Sequence, residues 1–250
     1  MTHDHFGLAA DDYAAARPRY PAVLFDRLAA LCAKTELAWD CGAGSGQATV
    51  DLAERFARVY ATDISADQLR HSAEHPRIDY ARQDAGRCAL ADMSIDLVTA
   101  ASAIHWFDLE AFYREVNRVL RPGGIIAVFS YFDCHVDADV QQLLDRFANE
   151  TLADYWDPRV AYPRSAYRTL PFPFEEIALG GFEFSTSITL ARLRGFVRSW
   201  SATQALARAT GKDPLRSIDP QLTAIWGDPA REKPITWPIF SRCGRTDQKA

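Results

Sequence analysis

Residues 37 to 56 constrain this chain more than any other stretch. The apolar run Leu37 to Cys41, which carries Asp40 near its end, leads into Gly42-Ala43-Gly44-Ser45-Gly46, and Gln47 to Phe56 follows with helix-compatible composition. Such a succession reads as strand, glycine loop and helix. Glycines at that turn let backbone approach a ligand closely and aim free amides at its negative groups. A G-x-G-x-G pattern has many uses, so the residues around it decide its meaning.

The same alternation continues downstream. Arg58 to Thr62 supplies a second strand ending at Asp63, and Ser65 is placed to cap a helix from about Ala66 to Ala73. Ile78 to Ala81 reads as a third strand, and Ile95 to Ala101, uncharged after Asp96 and rich in β-branched residues, as a buried fourth. Apolar residues at Leu109, Phe112, Val116, Val119 and Leu120 mark a helix over 108 to 120; Pro122-Gly123-Gly124 stops it before a fifth strand, Ile125 to Tyr131. Ahead of these elements, Pro21 to Cys32 sets Val23, Leu24, Leu28 and Leu31 on one helical face. Phe174 to Ile177 and Phe182 to Leu190 read as late strands around a Gly180-Gly181 turn. The expectation is an α/β, doubly wound Rossmann-like fold: a mostly parallel seven-stranded sheet with helices on both faces. An N-terminal covering helix and an inserted segment after the fifth strand complete it.

No repeat, low-complexity tract or compositional break marks a linker, and 250 residues with 48% hydrophobic content suit one large core. The expectation is a single domain over 1-250, with its core at about 36-131 and 174-250, an N-terminal cover at 1-35 and a substrate-side insertion at about 132-172. No run reaches the roughly 18 apolar residues of a membrane span, and residues 1 to 12 lack a basic signal region, so a cytoplasmic protein is expected. Five scattered cysteines without a C-x-x-C pair read as reduced structural thiols, with no metal. A net charge of −5 offers no general field for phosphate backbones, so nucleic acid is not an expected partner.

Three acids follow the first three strands. Asp40 precedes the glycine loop, Asp63 stands 21 residues beyond Gly42, and Asp84 follows the third strand. A carboxylate in the second position accepts both hydrogen bonds of a ribose diol. Three acids suit a ligand with ribose hydroxyls, an exocyclic amine and a cationic amino acid; they would repel a pyrophosphate. An NAD-dependent oxidoreductase also reads ribose with an acid after the second strand and is the enzymatic alternative, although it uses G-x-G-x-x-G and has no need of Asp84.

The segment Trp39-Asp-Cys-Gly-Ala-Gly-Ser-Gly46 resembles the first motif of class I S-adenosylmethionine-dependent methyltransferases of the type 11 domain. Ala61-Thr-Asp63-Ile-Ser, Gln83-Asp84, Ile95-Asp-Leu-Val98 and Val116-Asn-Arg-Val-Leu-Arg-Pro-Gly-Gly124 resemble its later motifs in order. The resemblance implies S-adenosylmethionine as cofactor and S-adenosylhomocysteine as product. It implies that Gly42, Ala43, Gly44 and Gly46 line the methionine portion beside Asp40, that Asp63 takes the ribose hydroxyls, Ile64 the adenine face and Asp84 the adenine amine, with Ala85 and Ala100 adjoining. A domain that binds S-adenosylmethionine without catalysis carries the same motifs and is the second alternative.

Looser similarity extends further. Asp12-Tyr13-Ala-Ala-Ala-Arg17-Pro-Arg19-Tyr20-Pro21, Ala103-Ile-His105-Trp106-Phe107-Asp108, Trp200-Ser-Ala and Trp237-Pro-Ile resemble small-molecule methyltransferases akin to trans-aconitate methyltransferase. Tyr13 and Arg17 are then cofactor candidates, Arg17 through a planar fork for the ligand's carboxylate. Aromatic rings attract a sulfonium cation and exclude water, which makes Tyr20, Trp106, Tyr131 and Trp156 the candidates for the substrate side. His105, after the fourth strand, is the candidate base for a hydroxyl or amine nucleophile; a carboxylate nucleophile needs none. The expected activity is methyl transfer to a small-molecule acceptor, to a carboxylate or hydroxyl oxygen, by a monomer or weak homodimer.

Overall fold

Alternation with period two sorts the central strands into two buried faces. In the computed structural model, which describes residues 19 to 246, Ala38, Leu97, Ala127 and Phe129 pack on one face of the sheet. Trp39, Val98, Ile126 and Val128 pack on the other. Strands covered on both sides in this way belong to a sheet wrapped by helices.

The strands are β1 (Leu37–Cys41), β2 (Arg58–Asp63), β3 (Ile78–Arg82), β4 (Ile95–Ala101), β5 (Leu120–Tyr131), β6 (Glu175–Glu176), β7 (Phe182–Ile188) and β8 (Lys233–Arg245). Their order is β3-β2-β1-β4-β5-β8-β6, with β7 also on β8. The first five are parallel, whereas β8 runs antiparallel to β5, and β6 and β7 antiparallel to β8. All seven expected strands are present, the one read at Phe174 to Ile177 shortened to the two-residue β6, and β8 makes an eighth. Strand β8 was not anticipated. It pairs with β5 through residues 239 to 245 and with β7 through 233 to 239.

Among the described helices, α1 (Ala22–Leu31) covers one face, and its buried residues are Leu24, Phe25 and Leu28. Val23, expected inward, is 57% exposed: the helix turns so that Phe25 meets Phe129 edge-on at 6.0 Å. Helix α2 (Gln47–Ala53) follows the glycine loop, and α3 (Ala66–Arg70) starts at Ser65, whose hydroxyl accepts from Gln68 N. On the opposite face lies α4 (Leu109–Val119), capped by Asp108 accepting from Ala111 N and burying Phe112, Tyr113, Val116 and Val119. Strand β5 starts at Leu120, earlier than expected, and a register shift between Ile95 and Leu97 absorbs the Pro122-Gly123-Gly124 turn.

Beyond β5 come α5 (Ala138–Arg146), a π-helical turn (Phe147–Thr151), α6 (Ala161–Arg164), α7 (Leu190–Arg198), α8 (Ser201–Thr210) and α9 (Asp219–Trp226). The β1, β4 and β5 ends away from the site are locked together by Asp96, 5% exposed, which accepts from Glu36 N, Leu37 N and Arg121. No described helix is long and apolar enough to cross a membrane.

Candidate functional site

All five parallel strands end at one carboxyl edge, and the strand order reverses between β1 and β4, where open sheets bind ligands. After β1, Gly42, Gly44 and Gly46 hold φ of +72°, +56° and +85°. Gly42 N and Ala43 N donate to the Thr62 carbonyl at the end of β2, at 2.8 and 3.0 Å. A Cβ on Gly42 would stand 2.5 Å from the Ala103 Cβ and 2.9 Å from Phe107, so only glycine lets this loop seat against the segment after β4.

Asp63 bridges two loops. Its carboxylate accepts from Gly44 N and from Ser65 N, each at 2.8 Å. Beside it, Ile64 is 43% exposed, a large aliphatic face open at the rim. Asp84 is exposed after β3 and accepts from Gly86 N at 2.8 Å, while Ala85 is half-buried behind it. The crevice therefore offers two rim carboxylates and an apolar face, an acceptor set that fits a nucleoside with a free diol and amine.

Asp40 lies deeper. It is fully buried beneath the loop and accepts from Thr49 Oγ1 at 2.6 Å and Thr99 Oγ1 at 2.8 Å; burial raises its pKa to about 6 against those two hydroxyls. It braces the glycine loop from below. Ala100 is likewise enclosed in the sheet. Tyr13 and Arg17 lie outside the described residues.

A cavity of about 120 Å³ opens past the ends of β4 and β5. His105, Trp106, Tyr131 and Trp156 line it, as the sequence suggested for all four. Tyr20 stands behind the wall, 8% exposed, edge-on to Phe129 at 4.8 Å with its hydroxyl 2.7 Å from Ser102 Oγ.

That contact begins a hydrogen-bond chain invisible in the sequence. Ser102, left-handed at φ +53° where β4 ends, lies 2.8 Å from Ser130 Oγ. Ser130 donates to the Tyr131 carbonyl at 3.1 Å, and the hydroxyl of Tyr167 lies 3.3 Å from His105 Nδ1. A carbonyl only accepts, so Ser130 spends its proton on Tyr131 and takes one from Ser102. Tyr167 is fully buried and left-handed at φ +59°, next to Ala166 at +51°. A bulky residue in that region is backbone strain, which clusters at functional sites. No run of residue types around 167 signals this, because the partners come from four separate segments.

Relatives point the same way. Residues 39–128 match the family model described as a methyltransferase domain. A protein of Dictyostelium discoideum named as a methyltransferase is 33% identical over 219 residues, 86% of this chain and 83% of its own length. A solved structure described as a type II methyltransferase of Anaeromyxobacter dehalogenans superposes with a TM-score of 0.84 at 43% identity, covering 92% of this chain and 97% of that one. The malonyl-[acyl-carrier protein] O-methyltransferase of Dechloromonas aromatica is 41% identical over 93 residues, 36% of this chain and 35% of its own. With its glycine loop, rim acids and sheet order, the chain belongs to the class I S-adenosylmethionine-dependent methyltransferases.

Proposed function

We propose that the chain moves a methyl group from S-adenosylmethionine to a small molecule held in the cavity beyond β4 and β5, as a monomer or weak homodimer in the cytoplasm. The observation that carries this reading is adjacency. The segment that closes against Gly42, residues 103 to 107, is the same segment that lines the cavity through His105 and Trp106. The cofactor crevice and the cavity thus share a wall.

S-adenosylmethionine, when bound, supplies an electrophilic methyl. Gly42, Ala43, Gly44 and Gly46 would hold its methionine portion, Asp63 its ribose diol, Ile64 and Ala85 its adenine, and Asp84 the adenine amine. In-line displacement at carbon depends on positioning, so the protein's main task is to hold nucleophile and methyl collinear in a dry space. His105 would take the proton that a hydroxyl or amine nucleophile must shed. A carboxylate oxygen, which needs no base, fits this geometry less well.

Titration calorimetry with S-adenosylhomocysteine, S-adenosylmethionine and NADH tests the reading. Micromolar binding of the first two without NADH is expected. Binding of NADH alone would replace it with the oxidoreductase reading, and cofactor binding without turnover across a broad acceptor panel would favour a non-catalytic sensor.

A further inference from the structure

The polar groups around the cavity are not balanced between donors and acceptors. Four of the donors are spent within the protein: Ser199 Oγ donates to the Phe196 carbonyl at 2.7 Å, Trp156 Nε1 to the Ala148 carbonyl at 2.8 Å, and Ser102 and Ser130 belong to the chain that ends at Tyr131. The acceptors are not. Asp133 lines the cavity immediately after β5, and among the described residues its carboxylate makes no hydrogen bond or ion pair. Asp145, one helix away on α5, takes a single amide hydrogen from Gln141 Nε2 at 2.9 Å. That bond orients the Gln141 amide so that its other end, Oε1, is buried with no partner.

The apolar lining has its own pattern. Phe132, Trp156, Trp200 and Phe196 form a continuous arc of rings, with successive centroids 5.8, 6.1 and 5.9 Å apart. A ring beside the arc and two rings of the arc itself already carry cations, Arg164 lying 5.6 Å over Phe132. Arg159 sits 4.7 Å over Trp106 while paired with Asp157, and Arg164 sits 4.9 Å over Trp156 from a neighbouring hollow that shares that ring. No described Lys or Arg lines the cavity itself.

Two carboxylates, one orphaned carbonyl oxygen and an arc of ring faces, with no cation among them, form a complement to a positively charged hydrogen-bond donor. We propose that the methyl acceptor carries a protonated amine, held by Asp133, Asp145 and Gln141 Oε1 against the Phe132–Trp156–Trp200 arc. An acidic acceptor would meet two like charges. Burial and the charge of Asp145 push the pKa of Asp133 up, against a partial lowering by His135 and Arg164, so the nearby cations do not fully offset its burial. The inference rests on the methyltransferase reading above, because it takes this cavity as the acceptor site.

The test uses the full chain saturated with S-adenosylhomocysteine and matched probes that differ in one group: tyramine against 4-hydroxyphenylacetate, and phenethylamine against phenylacetate. Binding is followed by calorimetry and by quenching of the tryptophan arc. The amines are expected to bind about tenfold or more tighter than the acids, and D133N and D133N/D145N to remove that preference while S-adenosylhomocysteine affinity holds. Acids binding as well as or better than amines, amines and acids alike failing to bind, or a preference untouched by either variant would overturn the proposal. Failure of S-adenosylhomocysteine to bind at the outset would instead overturn the methyltransferase reading, so the two failures are distinguishable.

Discussion

Tyr167 and His105, 62 residues apart in the chain, meet with the tyrosine hydroxyl 3.3 Å from Nδ1 of the imidazole. The tyrosine reaches that position only by adopting a left-handed backbone, and burial raises its pKa further, so it serves as a neutral hydrogen-bond partner. His105 is thereby fixed in the cavity wall beside Trp106.

The consequence is a graded pair of kinetic defects. H105A should lower kcat by roughly 10²- to 10⁴-fold with a hydroxyl or amine acceptor, the range for loss of a positioned base. Y167F keeps the ring packing against Phe240 and loses only the hydroxyl, so a smaller fall, on the order of tenfold, is expected, with a changed pH profile of kcat. S-adenosylhomocysteine affinity should survive both changes. Full activity in H105A would remove the base from the mechanism and leave positioning alone.

Asp63 ties cofactor chemistry to loop geometry. Removing its carboxylate takes away the acceptor for Gly44 N and Ser65 N as well as the hydroxyl partners proposed for it. Hydrogen bonds to a charged group contribute about 1.5 to 3 kcal/mol, so D63A should weaken S-adenosylhomocysteine binding by roughly 10- to 100-fold. Calorimetric titration of the variant reads this directly. Undiminished affinity would place the ribose elsewhere.

A third expectation concerns the loop that carries Asp84. Glu115, 8% exposed on α4, accepts from Cys88 N at 2.7 Å and takes Arg118 through both oxygens, at 2.6 and 2.9 Å. Arg118 in turn donates to the Leu90 carbonyl and to Asp92, so one ion pair fastens residues 88 to 92 to the helix. Arg118 holds the Glu115 carboxyl down to about 2. E115A would leave Arg118 and Cys88 N under-satisfied and should cost about 3 kcal/mol in urea unfolding at pH 7. A depressed folded-state pKa adds stability above the ordinary value of 4.5 and loses it as pH falls toward 2, so the gap between wild type and variant should close over that acidic window.

What was legible in the sequence is the part built from neighbours in the chain. Strands β1 and β4, the glycine loop, the Ser65 and Asp108 caps and the placement of Asp63 each follow from a local pattern, and the structure returns them nearly residue for residue. Strand β8 escaped because Pro234, Pro238 and Gly244 interrupt a run whose buried alternation, Ile235, Trp237 and Ile239, shows only once β5 and β7 flank it. Val23 and Phe25 are both apolar on one helix, and composition cannot say which faces the core. Ser102, Ser130, Tyr167, Asp133 and Asp145 carry no local motif. Their meaning is a matter of distances between separate segments, which only the fold creates.

Asp40 gives the last expectation, one about stability with the chemistry left aside. Its carboxyl is fully buried, and burial together with the nearby charge of Asp63 raises its pKa from 3.8 to about 6, against the lowering effect of Thr49 and Thr99. A raised folded-state pKa favours folding below the unfolded value and loses that benefit as pH rises through the folded one, so the ionised group costs up to about 3 kcal/mol at pH 8 relative to pH 4. D40N cannot ionise, and both threonine hydroxyls can still pair with its amide by turning one of them to accept. The melting temperature of D40N minus that of wild type should therefore climb between pH 4 and pH 8, with most of the change from about pH 4 to pH 6. The slope is the readout, because any hydrogen bond that asparagine fails to match shifts the difference equally at every pH. A difference that stays flat across the range would mean that Asp40 keeps its ordinary pKa, and that the hydroxyls of Thr49 and Thr99 fully offset its burial.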